Sequence, residues 1–190
     1  MKENIIKLIV IIICLLSFVY NYGQGKDRTI ELFFSNFLNF EFPVDPVNFI
    51  LEREGNLQSR FISKKEYDKY LREKNDKFWV FNDYYGYNYG GKKKINNYRL
   101  IFYSRHFMPE DINLQKGEFM LVTLTENGEM ISSIPVAGGY GDTLTFTSEL
   151  KNLNHIVVNY IQYSQNGEKK YSKYFFIEKN GEIKQIAKKE

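Results

Sequence analysis

Glu126-Asn127-Gly128-Glu129, Gln165-Asn166-Gly167-Glu168 and Lys179-Asn180-Gly181-Glu182 punctuate the stretch from Gly117 to the C-terminus. Asn-Gly between apolar runs is the strongest short-range hairpin signal, because both residues tolerate the positive φ of a type I′ turn. Strands are expected over residues 119–125 and 130–136 across the first pair, and over 156–163, 171–177 and 183–186 across the other two. A wider glycine turn is expected over 138–142, a short strand over 144–147 and a turn over 151–154. The result is an antiparallel β-meander. Ile156, Val158 and Tyr160 share one face, as do Tyr171, Phe175 and Ile177. Val157, Ile161, Tyr174 and Phe176 lie opposite, so helices from the N-terminal half are expected to cover that second face.

Upstream of the meander the period changes. Leu32, Phe33, Phe34, Phe37 and Leu38 recur at helical spacing behind Asp27, a cap residue. Phe40-Glu41-Phe42-Pro43 alternates, and residues 49–51 read as a short strand. Ser63-Lys64-Lys65-Glu66 is a capping box, with Ile62 and Tyr67 placed for a hydrophobic staple; its helix carries Tyr70 and Leu71 and is expected to end at Asn75-Asp76. Residues 78–81 read as a strand, 84–91 as a Tyr/Gly-rich loop or hairpin, 92–94 as a basic turn and 98–104 as a strand. Residues 106–116 read as a connection with one helical turn. The expected class is α+β, mainly β: an antiparallel β-meander sheet with one or two helices packed on it.

The first 25 residues have the three parts of a secretory signal. Lys2 and Lys7 give the positive region, residues 8–19 the apolar run and residues 20–25 a polar end, with cleavage expected after Gly25 and Gly23 or Gln24 as alternatives. An uncleaved anchor would place Lys7 inside a span short of the ~20 apolar residues that a membrane helix needs. A lipoprotein would use Cys14, but a small residue must precede the lipidated cysteine and Ile13 stands there. Residues 26–190 then form one β-rich domain, exported to the periplasm, cell surface or medium, with a membrane-anchored form as the alternative.

Cleavage removes the single cysteine and leaves a chain without disulfides, thiol chemistry or cysteine metal ligands. It also removes Lys2, Lys7 and Glu3, leaving 24 basic against 22 acidic residues. That balance argues against a nucleic-acid partner.

No recognisable catalytic constellation is present. His106 and His155 are the only histidines, and no Gly-x-Ser-x-Gly elbow occurs. His106, Glu110 and Asp111 cluster, but Pro109 prevents the helical spacing that would aim His106 and Glu110 together, so no metal site is expected. Gly138-Gly139-Tyr140-Gly141-Asp142 lacks the helix and Lys-Ser/Thr of a phosphate loop and reads as a strand connection. No cofactor is implied. The one stretch with a binding character is aromatic: Tyr84, Tyr85, Tyr87 and Tyr89, with Trp79 nearby and Lys93 beside them, would offer flat amphipathic surface to a protein or glycan of the cell envelope. The competing reading is that these tyrosines cover the sheet. The function expected is therefore an exported, non-enzymatic binding module; the alternatives are a glycan-binding module using the Tyr/Gly loop, or a hydrolase whose paired carboxylates come from distant strands.

Over residues 115–187, ending in the run Phe-Ile-Glu-Lys-Asn-Gly-Glu-Ile-Lys at 176–184, the chain resembles small exported β-meander proteins of Bacteroidetes-type bacteria. The resemblance implies the cell envelope and brings no catalytic residue.

Overall fold

The computed structural model describes residues 28–54 and 61–186. The expected leader, Cys14 and the Asp27 cap lie outside the described residues. The elements run α1 (Arg28–Ser35), β1 (Leu38–Asn39), α2 (Pro46–Glu54) and α3 (Lys64–Glu66), the last passing into a π-helical turn, Tyr67–Leu71. Then follow β2 (Tyr85–Ile95), β3 (Tyr98–Phe107), a 3-10 turn (Ile112–Leu114), β4 (Lys116–Thr125) and β5 (Met130–Tyr140). The chain closes with β6 (Leu144–Asn152), β7 (His155–Ser164), β8 (Gly167–Ile177) and β9 (Ile183–Ile186). All nine strands form one sheet in sequence order. Only β1 to β2 is parallel; the remainder is the expected meander.

The Asn-Gly hairpins form with different backbone chemistry from that expected. Gly128, Gly167 and Gly181 carry positive φ, whereas Asn96 is the only non-glycine with positive φ among the described residues. The Gly128 N–H donates to the Thr125 carbonyl at 3.0 Å and the Gly181 N–H to that of Glu178 at 2.9 Å. The turns at Gly128 and Gly181 thus end on a left-handed glycine, the bulged hairpin pattern, whereas Ser164 pairs directly with Gly167 across a two-residue turn without a register shift; all three asparagines keep an ordinary φ.

Four local expectations are corrected. Residues 49–51 lie in α2, because Pro46 suits the first helical position and the Asp45 carboxylate accepts from the amides of Val47 (2.8 Å) and Asn48 (3.2 Å). Residues 78–81 form no strand, since the Asp76 carboxylate takes the amides of Phe78 (2.8 Å) and Trp79 (3.1 Å) and diverts the chain. Residues 84–91 and 92–94 are largely one long strand, β2, whose register shifts between Tyr89 and Lys92; the actual turn is at Asn96 and Asn97. The capping box forms as read, but the helix it starts is short and ends at Leu71.

Two cores result. Ile30, Phe33 and Phe34 of α1, with Phe37 just after it, pack with Tyr67, Tyr70 and Leu71 onto Tyr87, Ile101, Tyr103, Met120 and Val122 of β2 to β4. The second core joins Leu100, Phe102 and Leu121 to Phe146, Leu150, Ile156, Val158 and Phe175, with Phe40 and Ile50 between. Strands β5 and β6 pair only from Gly138 to Tyr140, so the two halves of the sheet diverge at this junction. The helices do not cover the far face of β7 to β9, where Tyr174 and Ile186 stay exposed, because α1 and the π-turn are occupied by β2 to β4.

Candidate functional site

The six aromatic and basic residues singled out in sequence do not assemble into one exposed platform. Trp79 and Tyr87 are buried, at 4% and 1% exposure. The Tyr87 hydroxyl donates to the Val80 carbonyl at 2.5 Å, and its ring stacks on Phe81 at 5.2 Å. Tyr89 sets its ring edge-on to Phe37, and Tyr85 packs on Phe107 at 4.7 Å. Tyr84 is exposed, and Lys93 pairs with Glu41. Alternation along a strand buried on one side sends Tyr85, Tyr87 and Tyr89 toward the helices, which is the sheet-covering role.

A groove of about 550 Å³ opens instead where β3 and β5 end and β4 begins, lined by His106, Met108, Ile112, Asn113, Gly117, Gly139 and Asp142 among others. Register brings its floor together: Gly86 pairs with His106, His106 with Gly117, and Gly117 with Gly139. The His106 ring lies over Gly86, where an added Cβ would stand 2.0 Å from Nε2. Beyond it the floor is bare backbone. The wall is the connection after β3, anchored where the Gly141 N–H donates to the Gln115 carbonyl at 2.8 Å. That wall exposes Met108 and Ile112, and the Asp111 carboxylate caps its 3-10 turn through the Asn113 amide at 2.9 Å.

The next residues along the same strands point to the opposite face and lock the floor from behind. Arg105 Nε donates to Glu118 at 2.6 Å and its Nη1 to Asp76 at 3.4 Å, with Trp79 stacked 4.5 Å from the guanidinium. The Tyr140 hydroxyl donates to Glu118. Burial, then the hydrogen bond to Glu118, pushes the Tyr140 phenol well above its usual range. Burial disfavours the Arg105 charge, but Tyr103 and Glu118 more than offset it and the guanidinium holds its proton more tightly than usual. Lys116 turns its ammonium onto the Phe78 ring at 4.1 Å, on this same back face.

The two segments discounted separately in sequence, 106–111 and 138–142, therefore meet in space. The groove combines an apolar wall, a flat peptide floor, and the polar groups of His106, Asn113 and Asp142. Among the described residues no three His, Cys, Asp or Glu side chains gather to hold a metal. No described helix is long and apolar enough to cross a membrane. No family model, curated protein or solved structure matches the chain.

Proposed function

We propose that the chain is an exported, non-enzymatic binding module whose ligand lies on the glycine floor of this groove. Gly117 carries the reading. Among the described glycines it alone combines a φ outside the left-handed region with no atom within 4 Å of an added Cβ. Glycine weakens a strand by about 0.5–1 kcal/mol relative to alanine, so its presence where neither conformation nor packing requires it marks room for another molecule. The volume falls within the ~300–1,000 Å³ of small-molecule sites, which are mostly apolar with a few orienting polar groups. The ligand expected has an apolar body against Met108 and Ile112 and a hydrogen-bonding end near His106, Asn113 and Asp142.

The lost aromatic platform leaves the Tyr/Gly glycan reading without its surface. A carboxylate hydrolase needs two converging acids; among the groove residues only Asp142 is acidic, while Glu118 and Asp76 converge on buried Arg105.

The test is a fragment and glycan screen read by amide chemical shifts, repeated on Gly117→Leu. Hits should perturb His106, Gly117 and Gly139 and vanish in the variant at an unchanged or raised melting temperature. Binding elsewhere, or retained by the variant, overturns the reading. Export is checked by mass spectrometry of the mature N-terminus: soluble protein beginning near Lys26 is expected, and a full-length membrane-bound chain contradicts it.

A further inference from the structure

The three Asn-Gly pairs are equivalent as sequence but not as structure, and the difference bears on a covalent reaction. The nitrogen of a glycine that follows asparagine can attack the asparagine Cγ. A C–N bond closes a five-membered succinimide, the amide nitrogen of the side chain leaves as ammonia, and the glycine amide proton is released. Water then opens one of the two imide C–N bonds. Opening at Cγ gives aspartate; opening at the main-chain carbonyl gives isoaspartate. No electrons are transferred and water is the only co-reactant. The glycine nitrogen must leave its hydrogen bond and swing onto Cγ, so the rate follows the free energy of opening the turn.

Two of the pairs are tied to the core. The Gly128 N–H is bonded to Thr125, and an added Cβ would stand 2.4 Å from Ile30 and 3.0 Å from Tyr70, so opening this turn lifts it off α1 and the π-turn. The Gly181 N–H is bonded to Glu178, its carbonyl accepts from the buried Thr123 hydroxyl at 2.6 Å, and its Cα lies against Ile131 and Tyr98. Asn180 is held as well, its side-chain carbonyl accepting from the Glu182 amide at 3.0 Å.

The third pair has no such ties. Residues 162–170 are all exposed, and nothing lies within 4 Å of an added Cβ at Gly167. The ladder of β6 with β7 stops at Gln162, with one further bond from the Tyr163 N–H to the Thr143 carbonyl at 2.9 Å, and among the described residues that of β9 with β8 stops at Tyr174, so the tip beyond Tyr163 is a two-stranded hairpin, a unit marginal in water. From Ser164 to Gly167 the bonds are internal: Ser164 pairs with Gly167, and the Ser164 hydroxyl donates to the Gly167 carbonyl at 3.1 Å and takes the Asn166 amide at 3.3 Å.

We infer that Asn166 is the deamidation site of the folded protein, and that Asn127 and Asn180 are protected by packing. Conversion to aspartate places a carboxylate at a tip that carries Lys169 and Lys170. Isoaspartate adds a methylene to the main chain within the Ser164 to Gly167 connection and breaks that pairing.

The experiment incubates the purified chain at mildly alkaline pH, native and in denaturing urea, and follows the three peptides by mass spectrometry with isoaspartate separation. In the native protein, Asn166 should convert at least about tenfold faster than Asn127 and Asn180; in urea the three rates should converge. Gly167→Ala should slow the Asn166 reaction and leave the other two unchanged. Equal native rates, no native conversion at Asn166, or the same preference in urea would each overturn the inference.

Discussion

Glycines on the two strands that flank β3 behave in opposite ways. At Gly90 and Gly91 of β2 the missing side chains are replaced by the chain itself: an added Cβ would stand 2.3 Å from the Phe102 carbonyl at Gly90 and 2.4 Å from the Phe102 ring at Gly91. At Gly117 of β4 nothing fills the space. A glycine inside a strand reads the same in both places, as a weak point in the ladder. Only the three-dimensional neighbourhood separates a glycine that admits a core aromatic from one that keeps a surface open. The same contrast reassigns the aromatic segment: Tyr87 and Trp79 belong to the filled region, and the groove to the open one.

The contrast breaks most visibly where the floor is held from behind. Arg105→Ala strands Glu118 and Asp76 in a buried position and should lower stability by about 3–5 kcal/mol, read from the denaturant midpoint. A loss under 1 kcal/mol would mean that the pair is solvated. In the filled region, Gly90→Ala must displace the Phe102 backbone and should cost about 1–3 kcal/mol; a neutral result would erase the difference between the two glycine sets. Tyr87→Phe removes the hydroxyl bonded to Val80 and should cost about 0.5–1.5 kcal/mol in thermal unfolding, leaving groove binding intact. Lost binding at full stability would return Tyr87 to a ligand surface. The smallest effect has the opposite sign: Gly117→Ala should raise stability by about 0.5–1 kcal/mol.

How much of this was legible in the sequence differs by element. The strands after Gly117 were readable because apolar, β-branched and aromatic runs agree with three Asn-Gly signals, and the Ser63 to Glu66 box names its own helix start. The start of α2 is written in Asp45-Pro46, but Pro43 and Pro46 fit extended chain equally well, so the local signal is ambiguous. Asp76, whose carboxylate diverts the chain before Trp79, left no periodic trace. The groove was the least legible part. His106, Gly117 and Gly139 meet through the register of three strands, and no local window contains all three. The usable signal was a glycine just before the 119–125 run and another just after the 130–136 run, which points to a turn, a bulge or a close approach without saying which.

The most direct test sets Gly117→Leu beside Gly90→Ala on one thermal and one ligand-binding scale. Gly117→Leu should melt no lower than the parent and lose every ligand that perturbs His106 and Gly139, whereas Gly90→Ala should melt lower and, while folded, keep those ligands. A Gly117→Leu protein that unfolds early, or that binds as the parent does, contradicts the open groove as the site of function.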